Sequence, residues 1–232
     1  FEVPGARGKY CYVWLDAPIG YLTSLQALAE SGRAPGFGPA EFEALLAPGP
    51  QAELHHFLGK DIVNFHGLFW PAVLAGAGFR LPERLHVNGY LTVNGAKMSK
   101  SRGTFIEART YLDAGLEPEY LRYYFAARSS GGVDDLDLDL DDFVQRVNAD
   151  LVGKFVNIAS RCAGFVEKRF GGRLAESLGD WKQTFRAQAL LRTCFDEGGD
   201  YPRNRFSQAI RKVMQACDYV NEHIAEQKPW TM

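Results

Sequence analysis

Apolar positions along the chain change their period, and the changes mark out its elements. Residues 9–15 (K-Y-C-Y-V-W-L) are almost continuously apolar and aromatic, the pattern of a strand buried in a parallel sheet. Asp16-Ala17-Pro18 stops that run, and Pro18 suits the first turn of a helix over about 19–30. The stretch 32–50 is rich in Gly, Pro and Ala and reads as a connection with a short helical patch near 41–46. A second strand is expected over 53–58. Gly59-Lys60-Asp61 then turns into a helix over about 62–75, with Ile62, Phe65, Phe69 and Val73 on one face. A third strand spans 85–93. Strand, helix, strand, helix, strand is half of a doubly wound nucleotide-binding fold, in which ligands sit outside the carboxyl ends of the strands. Trp14, Asp16, Pro18 and Tyr21 then share one crevice with Gly59 and Asp61. A lone half of such a sheet has an exposed edge, so a partner half is expected elsewhere.

Beyond residue 104 the period lengthens. Helices are expected over 105–112 and 118–128, ended by Ser129-Ser-Gly-Gly132. Residues 133–142 (V-D-D-L-D-L-D-L-D-D) alternate Asp with Leu, the period-two pattern of a half-buried strand with a solvated acidic face. EF-hand spacing is absent there, and Asp141 or Asp142 suits the cap of the next helix. That helix starts near Phe143, with Val144, Val147, Leu151, Phe155, Ile158, Cys162 and Phe165 along one seam. Amphipathic segments over 180–197 and 204–227 complete an antiparallel bundle. The fold class is therefore α/β: half of a doubly wound, Rossmann-type fold followed by an α-helical bundle. The expected domains are 1–104, a connecting region over 105–142, and a helical domain over 143–232.

The composition leaves this picture intact. The chain has 232 residues, 46% hydrophobic and 23% charged, close to the globular average. No apolar run reaches membrane-spanning length, and the first residues lack a signal-peptide pattern, so a soluble, cytoplasmic protein is expected. Cys11, Cys162, Cys194 and Cys217 are scattered, without a C-x-x-C pair, so reduced thiols are the default. The formal net charge of −2 disfavours wholesale nucleic-acid binding. Any RNA contact must rest on local patches, such as Arg146, Lys154, Arg161, Lys168, Arg169 and Arg173 against Asp150 and Glu167. No metal site and no DNA or membrane partner is expected.

The chemistry concentrates in Asn94-Gly-Ala-Lys-Met-Ser-Lys-Ser-Arg-Gly-Thr104. Asn94-Gly95 is a strong hairpin-turn signal. Lys97 and Lys100, three apart among small residues, can bring two ammonium groups onto a polyanion such as a triphosphate. The segment lacks the Gly-x-x-x-x-Gly-Lys-Ser/Thr of a Walker loop. Alone it also reads as a solvated basic loop, just as Trp14, Tyr21 and His66 alone read as core aromatics and Asp61 as a helix cap.

The literal strings alter the balance. K-M-S-K-S at 97–101 resembles the signature of class I aminoacyl-tRNA synthetases, and V-N-G-A-K-M-S-K-S-R-G-T resembles the methionyl-tRNA synthetase form. Y-V-W-L-D-A-P-I-G-Y at 12–21 and H-F-L-G-K-D-I-V-N-F-H at 56–66 resemble that family's amino-acid pocket. The resemblance implies a methionine–tRNA ligase that uses ATP and Mg2+ to form methionyl adenylate and esterify tRNA(Met). It implies that Trp14, Ala17, Pro18, Tyr21, Ile62 and His66 wrap L-methionine. Gly59 and Asp61 would hold ATP, and Lys97 and Lys100 would act on its phosphates. V-N-I-A-S-R at 156–161 resembles the anticodon-reading helix and Pro229-Trp230 the family's stacking tryptophan, which gives Asn157, Arg161 and Trp230 to the anticodon. On this reading 105–142 is the stem-contact region.

The family's H-x-G-H and zinc-binding insertion do not occur; both normally precede Lys9, so a fragment is expected, with any zinc site upstream and the isolated piece inactive. Asn88 departs from a His found in some relatives. A synthetase for leucine, isoleucine or valine is the nearest rival, disfavoured by W-L-D-A-P-I-G-Y. A non-catalytic tRNA-binding module derived from a class I synthetase is the alternative of a different kind.

Overall fold

A computed structural model describes residues 2, 4–10, 16–50, 52–99, 105–177 and 182–231. Residues 11–15 of the first expected strand, Trp14 among them, and Lys100 lie outside the described residues. The chain divides into two compact units, residues 1–89 and 90–232.

In the first unit, α1 (Ile19–Ser31) and α2 (Pro39–Leu46) precede β1 (His55–Gly59). Pro18 is the cap of α1 rather than its first residue, and the Asp16, Ala17 and Pro18 carbonyls accept from the N–H groups of Ile19, Gly20 and Tyr21. A helical crossover leads from β1 to β2 (Arg84–Asn88), which pairs with it in parallel, His55 opposite Arg84 and Gly59 opposite Asn88. This is the expected β–helix–β unit, with its carboxyl ends at Gly59 and Asn88.

The crossover is not one regular helix. It begins as a 3-10 turn (Lys60–Ile62), widens into a π turn (Phe65–Phe69) and ends as α3 (Trp70–Gly76). The wide turn shifts the buried stripe to His66, Trp70 and Leu74, and Phe69 is left exposed. The expected Ile62–Phe65–Phe69–Val73 face assumed 3.6 residues per turn throughout, and that assumption fails here. Burying Trp70 removes roughly 150–250 Å2 from water, about 4–6 kcal/mol as an upper bound.

The first unit also holds an arginine that pattern reading passes over. Arg80 is buried, and its guanidinium donates to the carbonyls of Leu45 (2.8 Å), Ala47 (2.6 Å), Ala52 (2.5 Å), Ala44 (3.4 Å) and Gly49. The Gly/Pro/Ala-rich connection is thus gathered around one cation.

The second unit opens on a three-stranded sheet in the order β4–β3–β5, formed by β3 (Leu91–Val93), β4 (Ala96–Lys97) and β5 (Leu136–Leu138). The single strand expected over 85–93 is in fact two strands in two sheets, parted at Gly89-Tyr90. The lysine hairpin groups with the second unit, whereas the sequence led us to expect it at the end of the first domain. Its β3 pairs in parallel with β5, a non-local partner that a local pattern does not reveal.

Leu91, Val93, Met98 and Leu138 pack with Tyr124 and Phe143 into one core. A second core joins Tyr123 to Met214 and Cys217, with Leu151 and Ile158 against it. Neighbouring tyrosines of α5 (Pro118–Arg128) thus serve two cores, and the shorter α4 (Ala108–Asp113) precedes it. From residue 140 to 170 the backbone stays helical, as α6 (Leu140–Arg146), a π segment (Val147–Val156) and α7 (Asn157–Phe170). Of the expected seam Val147, Leu151 and Ile158 pack; Phe155 (57% exposed), in the wide turns, does not, and neither does Val144 (55%), in α6. The cap of α6 is Asp139, which accepts from the Asp142 N–H at 2.9 Å, not Asp141 or Asp142. After α8 (Lys182–Phe195), α9 (Phe206–Gln227) packs on α8, α5, the π segment and α7. Among the described residues, no helix is long and apolar enough to cross a membrane.

Candidate functional site

Functional side chains gather at three places. The first is the start of the crossover helix in unit one. His66 is 1% exposed; its Nδ1 lies 2.9 Å from the Ile62 carbonyl and its Nε2 3.0 Å from the Tyr21 hydroxyl. A carbonyl only accepts, so Nδ1 carries the proton and Nε2 accepts from Tyr21. His56, which sequence reasoning quoted but gave no role, packs edge-on to His66 at 5.5 Å and 5.7 Å from the Tyr21 ring. The Trp70 indole donates to His56 Nε2 at 3.2 Å. Burial, and then the neighbouring His66, hold the His56 pKa below the ordinary histidine value. The Ile62 carbonyl, the Tyr21 hydroxyl and the Trp70 indole thus fix the two imidazoles in an array of rings.

Tyr21 remains 46% exposed, Pro18 is buried, Ile62 is partly buried and Ala17 is exposed. A half-open ring whose hydroxyl is already committed offers an apolar, polarizable face to a ligand. The structure brings together Tyr21, Ile62 and His66 of the expected methionine-binding set.

Gly59 and Asp61 stand at the carboxyl end of β1. A Cβ at Gly59 would lie 2.7 Å from Asp61 Oδ1, because the exposed Asp61 carboxylate folds back over the strand end. Asp61 lies in the first turn of the 3-10 helix and Gly59 is its cap, which leaves the exposed carboxylate to face solvent or a hydroxyl-bearing ligand.

The second place is the lysine hairpin. Asn94 (φ 47°) and Gly95 (φ 73°) both adopt left-handed backbone at the turn, the geometry that matches the twist of paired strands. Thr92 lies opposite Lys97 in β4 and opposite Asp137 in β5. These three residues form one row across a single face, while Val93, Met98 and Leu138 turn to the core. The Lys97 ammonium sits 5.7 Å from the centre of the Tyr90 ring. The acidic alternation of 133–142 is therefore not simply a solvated face. Asp137 Oδ1 accepts from the Thr92 hydroxyl (2.6 Å) and the Gly95 N–H (2.8 Å), and Asp135 Oδ1 accepts from the Tyr90 N–H (2.8 Å). The Thr92 and Gly95 bonds hold the Asp137 carboxyl below the ordinary carboxylate range.

The third place is the far end of the bundle, where Asn157, Arg161 and Trp230 meet. Lys228 (φ 45°) ends α9 in left-handed backbone and a 3-10 turn (Pro229–Thr231) carries Trp230 onward. There the Arg161 guanidinium lies 5.2 Å from the centre of the Trp230 ring. Asn221, which sequence reasoning missed, links them. Its side-chain oxygen faces Arg161 Nη1 (3.4 Å) and Asn157 Nδ2 (3.5 Å), and its amide donates to the Lys154 and Cys217 carbonyls (3.1 Å each). An asparagine on an amphipathic helix carries no motif, so only the packing of α9 on α7 reveals it. The basic excess on the long helix is thinner than the sequence implies: Arg146 pairs with Asp142 and Lys154 with Asp218, each at 3.0 Å.

Comparison with known proteins assigns this arrangement a family. The family described as tRNA synthetases class I (M) matches residues 1–163. The methionine–tRNA ligase of Xanthomonas axonopodis pv. citri (strain 306) is 63% identical over 233 aligned residues, covering 100% of this chain and 32% of that protein. That of Xanthomonas euvesicatoria pv. vesicatoria (strain 85-10) is 62% identical with the same coverage. The chain thus spans about a third of the length of the curated relatives it matches. Among solved structures, Mycobacterium tuberculosis methionyl-tRNA synthetase in complex with methionyl-adenylate superimposes with a TM-score of 0.72 at 28% identity. The match covers 99% of this chain and 43% of that one. The free form of the same enzyme gives 0.69 at 25% identity. The fold, an α/β nucleotide-binding half with a helical bundle, is that of a class I synthetase, and the chain belongs to the methionyl-tRNA synthetases of class I.

Proposed function

We propose that this chain supplies the methionine pocket, the phosphate-handling lysines and the anticodon-reading surface of a methionine–tRNA ligase. The reaction joins methionine to ATP as methionyl adenylate, with loss of pyrophosphate, and then transfers the methionyl group to tRNA(Met). The observation that carries this reading is the Tyr21–His66 bond at a half-open ring, within segments that resemble the family's pocket. Trp14, Ala17, Pro18, Tyr21, Ile62 and His66 are assigned to the methionine side chain. The thioether is recognised by shape and soft ring contacts, worth about 1–3 kcal/mol per methylene-sized difference.

Gly59 and Asp61 are assigned to the adenosine, with the Asp61 carboxylate accepting from ribose hydroxyls. Lys97 and Lys100 stabilise the charge that builds on the phosphates as the methionine carboxylate attacks the α-phosphorus. This step needs positioning and cations rather than a protein nucleophile. Mg2+ is assigned to the triphosphate itself, where it offsets phosphate charge.

Tyr21→Phe tests the pocket. It keeps the ring and leaves the buried His66 Nε2 without its donor, at a cost of about 1–3 kcal/mol. In the full-length protein the KM for methionine is expected to rise about fivefold or more, with the KM for ATP unchanged. Equal KM values for methionine in the two proteins would remove Tyr21 from the pocket.

Asn157 and Arg161 are assigned to anticodon base edges and phosphate, and the 53% exposed Trp230 ring to stacking on a base. Base–aromatic stacking is worth about 1–3 kcal/mol. Trp230→Ala should weaken tRNA binding by about tenfold while methionyl adenylate forms at the normal rate. If both fall together, Trp230 is a packing residue.

A further inference from the structure

We propose that Asp137 is a positioning residue for the lysine loop, its carboxylate fixing the direction in which the hairpin leaves the sheet and so where Lys97 is presented. The inference rests on the assignment of the lysines to ATP phosphates, and it concerns a residue to which neither the motifs nor the comparisons give a role.

The register with β5 runs over Leu91–Val93, and the turn lies just beyond that ladder. Three bonds tie the turn and its flanks to the chain around β5. The Gly95 N–H donates to Asp137 Oδ1 (2.8 Å), the Asn94 N–H donates to the Leu138 carbonyl (3.0 Å), and the Leu140 N–H donates to Asn94 Oδ1 (3.1 Å). The Asp137 side chain also grips the strand below the turn, through the Thr92 hydroxyl at 2.6 Å. One oxygen thus takes two donors, one on each side of Asn94, and resists hinging of the turn against the strand. Two short bonds to an ionised acceptor are stiffer than neutral ones.

The row Lys97–Thr92–Asp137 makes the consequence direct. Thr92 is the cross-strand neighbour of Lys97, and its hydroxyl is committed to Asp137. Asp137 contributes nothing to the apolar core on the other face, which Val93, Leu138 and Tyr124 fill without it. Its backbone carbonyl, which accepts from the Tyr124 hydroxyl at 3.1 Å, survives any side-chain change. The carboxylate can therefore be removed while the sheet and the core beneath it remain. A hairpin that swings by an ångström spoils phosphate contacts that depend on alignment, and it does so without altering the methionine pocket.

The test uses the full-length protein with Asp137→Ala, Asp137→Asn and Thr92→Val, read by methionine-dependent ATP–pyrophosphate exchange and by amide hydrogen exchange across 94–98. Asp137→Ala and Thr92→Val should lower kcat about tenfold with the KM for methionine within twofold, and should speed exchange of the Gly95 amide. Asp137→Asn keeps an oxygen that can accept from both donors and should recover most of kcat. A wild-type kcat in Asp137→Ala, or a loss equal in Asp137→Asn with the methionine KM and thermal midpoint moving too, would overturn the proposal. Absence of methionine-dependent exchange in the unsubstituted protein would instead overturn the reading of the lysines on which it rests.

Discussion

Alanine at Lys100 should slow methionyl-adenylate formation by about a hundredfold or more while methionine binds as before. A preorganised cation or donor aimed at charge that develops in the transition state is worth about 2.7–4 kcal/mol. That energy is realised on the phosphates as they gain charge, not on the amino acid, so the loss belongs in kcat. Position 100 lies outside the described residues, and the expectation rests on its spacing from Lys97, which ends the described hairpin on its polar face. Single-turnover adenylate formation measures the effect. A rate equal to that of the unsubstituted protein would remove Lys100 from the chemistry.

Arg80→Met should destabilise the first unit by about 3 kcal/mol. Five carbonyls share the guanidinium, and a bond to a charged donor contributes about 1.5–3 kcal/mol. Simple addition would overshoot, because Ala44, Ala47 and Gly49 face solvent and water can replace part of what they lose. Methionine keeps the apolar stem, so the change reports the lost head group rather than a cavity. Thermal unfolding of a unit of this size should shift down by about 12–24 °C. Arg80→Lys should recover little, since one ammonium cannot reach carbonyls spread along 44–52. A shift of less than about 2 °C would mean that the connection folds without its central cation.

These two residues mark the limits of what the sequence discloses. Lys97 and Lys100 stand in a string distinctive enough to name a family unaided. Arg80 has no motif, and a charged residue after Gly-Phe reads as surface until the carbonyls converge on it. Elements bounded by strong punctuation were legible: α5 starts at Pro118 and stops at Arg128, before Ser-Ser-Gly-Gly, as expected. The π segments were not, because a period of 3.6 was assumed where the helix is wider. The faces of Phe69 and Phe155, which lie in those segments, were misjudged for that reason.

Long-range partners account for the rest. Alternating Asp and Leu signalled a strand correctly at 136–138, but nothing local says that its partner is the lysine hairpin. Tyr21 and His66 were grouped from the sequence, and their direct bond carries that grouping into geometry. His56, Trp70 and Asn221 join their clusters only through tertiary packing.

The proposed reaction assigns the choice of amino acid to the aromatic array and the phosphates to the lysine hairpin. Amino-acid-dependent ATP–pyrophosphate exchange by the full-length protein tests it most directly. Methionine should support exchange at least tenfold better than leucine, isoleucine or valine at equal concentration. Equal exchange with one of those three, or none with methionine, would contradict it.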